Sequence, residues 1–534
     1  MLLFSLFIVV LLAQIPFIQS HCQKTPLCHY NSNLMTITCN RAFAEHNITV
    51  LFPDVSCFPP VNTYLFLNFQ QIQWHTFENI TFPENDIFKI KLINISIIET
   101  EAFSGSIHIP DSSRLTIEIG DSQTTSDIII QPDAFNRIKI EHLYFRNLNS
   151  FNGQSIFDAN SFGNDLDVNV LLFDQCNLTG FSNLLHKTAN INHLSIRNSP
   201  SFVQIADLNL SSLLTTSKSL EISNTGLQMI NAHTFPAWSL ILQELILTNN
   251  SNFEIFPSTF VDGVLMKLNK LDLSYNSIHT IDINYNWFAY SYAKELLLRN
   301  QQLDLFLKSN ILKTLPFLQK IDFSGGFIGE NKDDLIRNHF FYTTNLTSID
   351  ISYTNLTEPM IIDLLTHISQ TANRLVDIYL AGHQLTDENF CSYFTIYKNA
   401  PKLLNLLLDE SHKCNCIIEL FYRDTVPDTR INNSILHPSC LLDASRQRCD
   451  IQAQLALSKC SLGGQNPEPS HDDNNNIGDY AFGAIVAGVV VVLLVMLSLG
   501  YGVYQRRRRG TELTMDQPVE NPLAAIIEER LENV

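Results

Sequence analysis

The 534-residue sequence predicts an α/β solenoid: stacked turns sharing one parallel sheet, closed by disulfide caps and tethered by one transmembrane α-helix. Three observations predict it. An apolar-x-apolar unit recurs through the middle of the chain at intervals of 23 to 29 residues. Cysteines crowd both flanks of that array. Residues 481–504 carry no charge and are followed by Arg506, Arg507, Arg508 and Arg509. The formal net charge of −19 argues against a nucleic-acid protein, which needs a basic stripe to neutralise phosphates.

The first element is a signal peptide over 1–20. "LLFSLFIVVLL" (2–12) is its apolar core, with polar Gln14 and small Ser20 behind it, although no basic residue precedes the core. The long segment after it, 21–480, is then extracellular or lumenal, where disulfides persist. Nine sequons agree with that compartment: Asn47, Asn79, Asn94, Asn177, Asn209, Asn249, Asn345, Asn355 and Asn432.

The array spans 61–411. The repeat unit starts at 65, 90, 115, 143, 171, 194, 220, 245, 271, 296, 321, 349 and 378, thirteen copies in phase. Its best-kept copy is "LDLSYNSI" (271–278); others read "LFLNFQQI", "IKLINISI", "LLFDQCNL", "LEISNTGL" and "IDISYTNL". In "LDL" the leucines point to one face of a short strand and Asp272 to the other. One strand cannot bury its apolar face alone, but turns stacked ~4.8 Å apart bury a continuous core. Downstream pairs fill the back of the turn: Thr76-Phe77, Ala102-Phe103, Ala134-Phe135, Thr234-Phe235 and Thr259-Phe260. Where the chain bends inward after the strand, the amide of Asn276 is expected to satisfy backbone groups that no ladder reaches. The equivalent positions are Gln70, Ile95, Leu148, Cys176, Ser199, Thr225, Asn250, Gln301, Gly326, Thr354 and His383, so the ladder is degraded. Cys176 is expected to be a buried free thiol.

These units resemble the leucine-rich repeat, L-x-x-L-x-L-x-x-N/C-x-L, over about 350 residues. The resemblance implies a horseshoe with the sheet on its concave face. Cys22, Cys28, Cys39 and Cys57, leading through Pro59 and Pro60 into the first repeat, look like the N-terminal cysteine cap (21–60) of extracellular members of that class. The pairing expected is Cys22–Cys28 with Cys39–Cys57, one of three connectivities that four cysteines allow. The spacing C-x-C-x23-C-x19-C over 412–460 is similar to the C-terminal cap. This resemblance implies Cys414–Cys440 and Cys416–Cys460. A zinc site on His412, Cys414 and Cys416 is the competing reading. Cys391 and Cys449 form a further bridge or stay free.

The Gly/Pro/Asn-rich stretch 461–480 reads as a solvated stalk. The 24 uncharged residues 481–504 span a ~30 Å hydrocarbon core at 1.5 Å per residue. The arginines behind them mark the cytoplasmic side, giving a single-pass type I plasma-membrane protein. Gly483 with Ala487 and Ala484 with Gly488 offer small faces for a homodimer. The tail, 505–534, is too short for a folded signalling domain. Asn521 and Pro522 start an amphipathic segment there, and Val534 faintly resembles a PDZ ligand.

No nucleophile elbow, HExxH, phosphate loop or Ca²⁺ loop is present in the sequence, so neither catalysis, cofactor nor metal is expected. Binding is expected from the outward strand residues, which run through Phe66, Lys91, Thr116, Tyr144, Leu172 and Ser195 to Tyr379, with Ser274, Ser324 and Ser352 flanking the later strands. Tyr144, Arg146, Leu172 and Arg197 form the aromatic, aliphatic and arginine mix that hot spots favour. The expected function is a cell-surface recognition protein with a protein ligand. The resemblance extends to Toll-like receptors and neuronal adhesion proteins, though no TIR domain stands after the membrane segment. Homophilic adhesion and an accessory role beside a channel or receptor are the alternatives.

Overall fold

In the computed structural model the described residues fall between 27 and 408. The longer stretches of that span outside the description are 42–60, 78–86, 104–112, 179–189, 204–216, 231–240, 257–266, 282–291 and 330–344. The fold is a parallel β-solenoid. Its main sheet has sixteen strands, of which the first two form an antiparallel hairpin, Cys28–Asn31 with Thr36–Asn40. The remaining fourteen run parallel, one per turn. Turns 1 to 7 carry Thr63–Leu67, Ile87–Ile93, Arg114–Gly120, Lys139–Arg146, Asp167–Asp174, Asn190–Arg197 and Ser219–Ser223. Turns 8 to 14 carry Glu244–Thr248, Lys270–Asp272, Glu295–Leu297, Lys320–Asp322, Ser348–Asp350, Asp377–Tyr379 and Asn405–Leu407. Among the described residues this makes fourteen turns, the last of them, Asn405–Leu407, beyond the thirteen repeat starts read from the sequence.

The alternation works as the repeat requires: Leu143 and Phe145, Leu171 and Phe173, Leu220 and Ile222 are all fully buried. Two turns are out of phase with the sequence reading. In turn 1, Leu65 pairs with Lys91, so Leu65 faces out and Phe66 is fully buried. "TYLFL" offers four large apolar residues in a row, and only the neighbouring strand selects the register. In turn 3, Glu118 and not Thr116 stands beside Lys91 and Tyr144. Leu115, Ile117 and Ile119 alternate over three steps, so any adjacent pair of them could open the unit.

The amide ladder forms. Asn276 Nδ2 donates to the carbonyls of Leu273 (2.7 Å) in its own turn and Leu247 (2.6 Å) in the preceding one. Its Oδ1 accepts the Asn250 N–H at 2.9 Å. Asn250 repeats the pattern, donating to Ile222 and accepting from the Thr225 N–H and hydroxyl. Cys176 holds the same place as a buried free thiol 3.4 Å from the Phe145 carbonyl, its pKa pushed up to about 12 by burial. In turns 1, 2 and 4 the position is apolar: Phe69 (not Gln70, which is exposed), Ile95 and Leu148.

A second ladder is exposed. One residue before each inward position, the chain takes a positive φ: Asn68, Asn94, Asn147, Gln175, Asn198, Asn224, Asn249, Tyr275, Asn300, Gly325, Tyr353 and Gly382. Asparagine tolerates that left-handed conformation best among residues with a side chain. Their amides link along the stack, Asn94 to Asn68 to Asn40 and Asn249 to Asn224 to Asn198 to Asp174, at 2.6 to 3.2 Å.

The back of the stack changes character along the chain. Turns 1 to 4 carry a second parallel sheet, Gln71–Ile72, Ile97–Ile98, Ser126–Ile130 and Leu148–Ser150. Behind it runs a phenylalanine spine, Phe77, Phe103, Phe135 and Phe162, with successive ring centroids 4.8, 5.0 and 5.6 Å apart. Phe77, Phe103 and Phe135 are the expected back-of-turn residues. Phe162, preceded by Ser161, continues the series without the Ala/Thr signature. Later turns use helices: α1 (Leu303–Lys308), α2 (Glu358–Thr371) and α3 (Phe390–Asn399). α2 starts after Thr357 with proline in its first turn and buries Ile361, Leu364, Leu365 and Ile368. Tyr393 of α3 donates to Glu358 of α2 at 3.1 Å, tying the last turns together.

The N-terminal hairpin corrects the expected bridges. Cys28 lies directly opposite Cys39, and the two are disulfide-bonded with their Cα atoms 4.0 Å apart. A cysteine makes one bridge, so Cys22–Cys28 and Cys39–Cys57 are both excluded. The hairpin, a local feature invisible to cysteine spacing, sets the pairing. Cys391 is also disulfide-bonded, to a partner outside the described residues, so it is not free. Cys414, Cys416, Cys440, Cys449 and Cys460 lie outside the description, as do 1–20, expected as a signal peptide, and 461–480, 481–504 and 505–534, expected as stalk, membrane span and tail. Among the described residues no helix is long and apolar enough to cross a membrane.

Candidate functional site

The register brings the predicted cluster together on the outward face of turns 3 to 6. Tyr144, Leu172 and Ser195 are adjacent along one row, with Glu118 before them and Glu221 after. Two residues on, Arg146, Asp174 and Arg197 form the next row. The first row is placed by the pleat, since its neighbours at i±1 are buried leucine, isoleucine or phenylalanine; the second row follows a buried phenylalanine or isoleucine and precedes the positive-φ residues Asn147, Gln175 and Asn198.

At its centre Arg146 lies over the Tyr144 ring, 5.3 Å from the centroid, and His142 stacks with the same ring at 5.5 Å. Such cation–π packing fixes the ring at low entropic cost to a partner. Behind Tyr144, Glu118 is 5 % exposed and gathers three cations. Lys89 bonds it directly, while Lys91 and the Arg146 Nε lie at 3.6 Å. Burial alone would raise the Glu118 carboxyl, but the Lys89 hydrogen bond and the charges of Lys89, Lys91 and Arg146 outweigh it and hold its pKa down. Burial raises the Tyr144 phenol, opposed in part by Arg146. Gly120 (φ +90) lets the turn-3 backbone pass against the Arg146 carbonyl, where a Cβ would collide.

Arg197 behaves differently. Its Nε and Nη2 donate to the two Glu221 oxygens at 2.8 and 2.6 Å, and Ser195 and Ser223 donate to the same carboxylate. Half its hydrogen-bonding fork is therefore committed to a neighbour, and it frames the patch. Glu118 was missing from the predicted outward residues; Glu221 was among them, outside the four-residue cluster. The signal for Glu118 lay in the phase of turn 3, which pairs it with Tyr144.

The later outward rows are self-satisfied. Asp272, Asp322 and Asp350 each accept the N–H of the serine two residues on, at 2.9 to 3.1 Å. Arg299 bridges Asp272 (3.7 Å) and Asp322 (3.2 Å). Ser274 and Ser352, expected as contact residues, are buried, and each accepts the backbone N–H of a later turn. Among the described residues no group of three or more His, Cys, Asp or Glu is placed to hold a metal ion. Asn94, Asn177 and Asn249 are exposed, Asn345 and Asn355 are partly buried, and Asn47, Asn79, Asn209 and Asn432 lie outside the description.

No protein-family model matches the chain, and no curated protein matches it. Similar solved structures are leucine-rich-repeat proteins. They include the complex of TLR13 with ssRNA13, at 14 % identity over 71 % of this chain and 70 % of that one, TM-score 0.34. A leucine-rich-repeat protein of Leptospira interrogans gives 14 % identity over 65 % of this chain and 88 % of that one, TM-score 0.29. The Toll–Spatzle complex of Drosophila gives 14 % over 72 % of this chain and 49 % of that one, about half its length, TM-score 0.39. At such TM-scores these likenesses carry no argument about function; the sheet and its register define the fold.

Proposed function

We propose that the chain is a non-catalytic recognition protein whose outward sheet face binds a protein ligand. It is anchored in the plasma membrane by 481–504, with the solenoid outside, and passes its signal through partners. The single observation that carries the reading is the Tyr144–Leu172 pair. It is aromatic and aliphatic, half-buried and held between Arg146, His142 and the Glu118 and Glu221 networks, whereas the later rows satisfy themselves. A rigid apolar anchor ringed by charge is the arrangement that carries binding energy at protein interfaces. Cells displaying the full chain, probed with soluble secreted and cell-surface proteins, should yield a ligand. Its affinity should fall at least tenfold in Tyr144→Ala with surface expression unchanged. Ligands that bind Tyr144→Ala and Leu172→Ala as well as the parent would place recognition elsewhere.

A further inference from the structure

Tyr292 and Phe317 are 56 % and 45 % exposed and stack on each other at 5.2 Å with their planes 21° apart. They occupy equivalent places four residues before the inward strand position in turns 10 and 11. The same place in turn 12 is Asn345, of the sequon Asn345-Leu346-Thr347. Asn345 Nδ2 donates one hydrogen to the carbonyl of Pro316, the residue before Phe317, at 2.9 Å. That bond holds the Asn345 amide one residue along the chain from Phe317.

We propose that Asn345 carries an N-glycan whose first N-acetylglucosamine lies on the Phe317–Tyr292 platform. The pyranose offers one face of axial C–H groups to an aromatic ring, and the pair is apolar surface that the described residues leave uncovered. Asn355, eight residues beyond Thr347, is the contrast. Its Oδ1 accepts the Ile328 N–H and its Nδ2 donates to the Ile328 carbonyl, both at 2.8 Å. That two-point pairing uses the amide hydrogen on the same side as the oxygen, the position a glycosidic bond takes, so Asn355 stays unmodified.

This inference rests on the extracellular placement proposed above, and glycopeptide mass spectrometry of the full chain from secretory cells separates the two. If no sequon of the chain is occupied, the placement itself fails. If other sequons are occupied and Asn345 is bare, or Asn355 is modified, the placement stands and the inference is overturned. Stacking is read by a double-mutant cycle on the purified full chain. Asn345→Gln, which keeps an amide, should lower the melting temperature when Phe317 is present and have no effect in the Phe317→Ala background. Trimming glycans to a single N-acetylglucosamine should leave the melting temperature unchanged. Equal effects of Asn345→Gln in both backgrounds would show a glycan that does not touch the platform, and would refute the seat.

Discussion

Replacing Asn276 by alanine tests the interior of the solenoid most directly. The change removes three hydrogen bonds in one step. The Leu273 carbonyl keeps a donor, because Gln301 Nε2 reaches it at 2.9 Å. The Leu247 carbonyl and the Asn250 N–H lose the partner they have now. At about 1–3 kcal/mol for each buried group left unsatisfied, the expected loss is about 2–6 kcal/mol, centred on turns 8 and 9. Because turns contact only their neighbours, the damage should be local. Hydrogen exchange at the Asn250 amide should accelerate tenfold or more, with little change in turns 2 and 3, and urea should unfold the C-terminal half first. Asn276→Asp keeps an acceptor for Asn250 but loses both donations and buries charge, so it should do no better than alanine. A loss under about 1 kcal/mol with unaltered exchange at Asn250 would mean that water or backbone shifts can replace the amide, and the ladder argument would fall.

Gln301 is one methylene too long to repeat the pattern: its Nε2 donates to Leu273 and Asn276, and its Oε1 finds no donor. Gln301→Asn should therefore raise the urea midpoint, by about 1 kcal/mol of stability; a fall would show that the longer side chain fills space the ladder needs. Glu118 has its folded pKa below the ordinary 4.5, so its interactions stabilise the fold above that value. They are lost as pH falls through the folded value. Acid unfolding should show this loss below pH 4.5, and Glu118→Gln should flatten it while costing about 1–3 kcal/mol at pH 7. Identical acid profiles for parent and variant would contradict the network. Cys176, with its thiol pushed to about 12, should resist iodoacetamide at pH 8 until urea unfolds the chain; rapid native labelling would deny its burial.

The sequence carried the period, the sheet and most of the core, because a stacked turn must bury the same positions each time. Leu143, Phe145, Leu171 and Phe173 could be assigned from spacing alone. Register was legible only where the apolar pattern had a single solution. Turn 1 with four large apolar residues and turn 3 with three alternating ones had several, and Phe66 and Thr116 were misplaced as a result. The site suffered the same way. Tyr144, Arg146, Leu172 and Arg197 do share a face, but whether an arginine is available depends on a neighbour about 25 residues away. The period puts Glu221 on the same face but does not show that it takes Arg197. The Cys28–Cys39 bridge comes from a hairpin of short strands around an Asx turn at Asn31, whose oxygen accepts the N–H groups of Asn33 and Leu34. Cysteine counting could not see it.

The change from strand and phenylalanine to helix on the back of the stack has a geometric consequence. A solenoid bends by the difference in pace between its two sides. Where the Phe77–Phe103–Phe135–Phe162 spine advances 4.8, 5.0 and 5.6 Å per turn, the back nearly keeps step with the sheet's ~4.8 Å and the bend is about five degrees per turn at most. Packed helices need about 8–10 Å between axes, so turns 12 and 13, backed by α2 and α3, must close by roughly 20° on each other. The outward face is thus a nearly flat plank around Tyr144 and a curl beyond Tyr353. A partner that fits the plank can be broad and rigid; only one with a narrow, convex edge could also follow the curl.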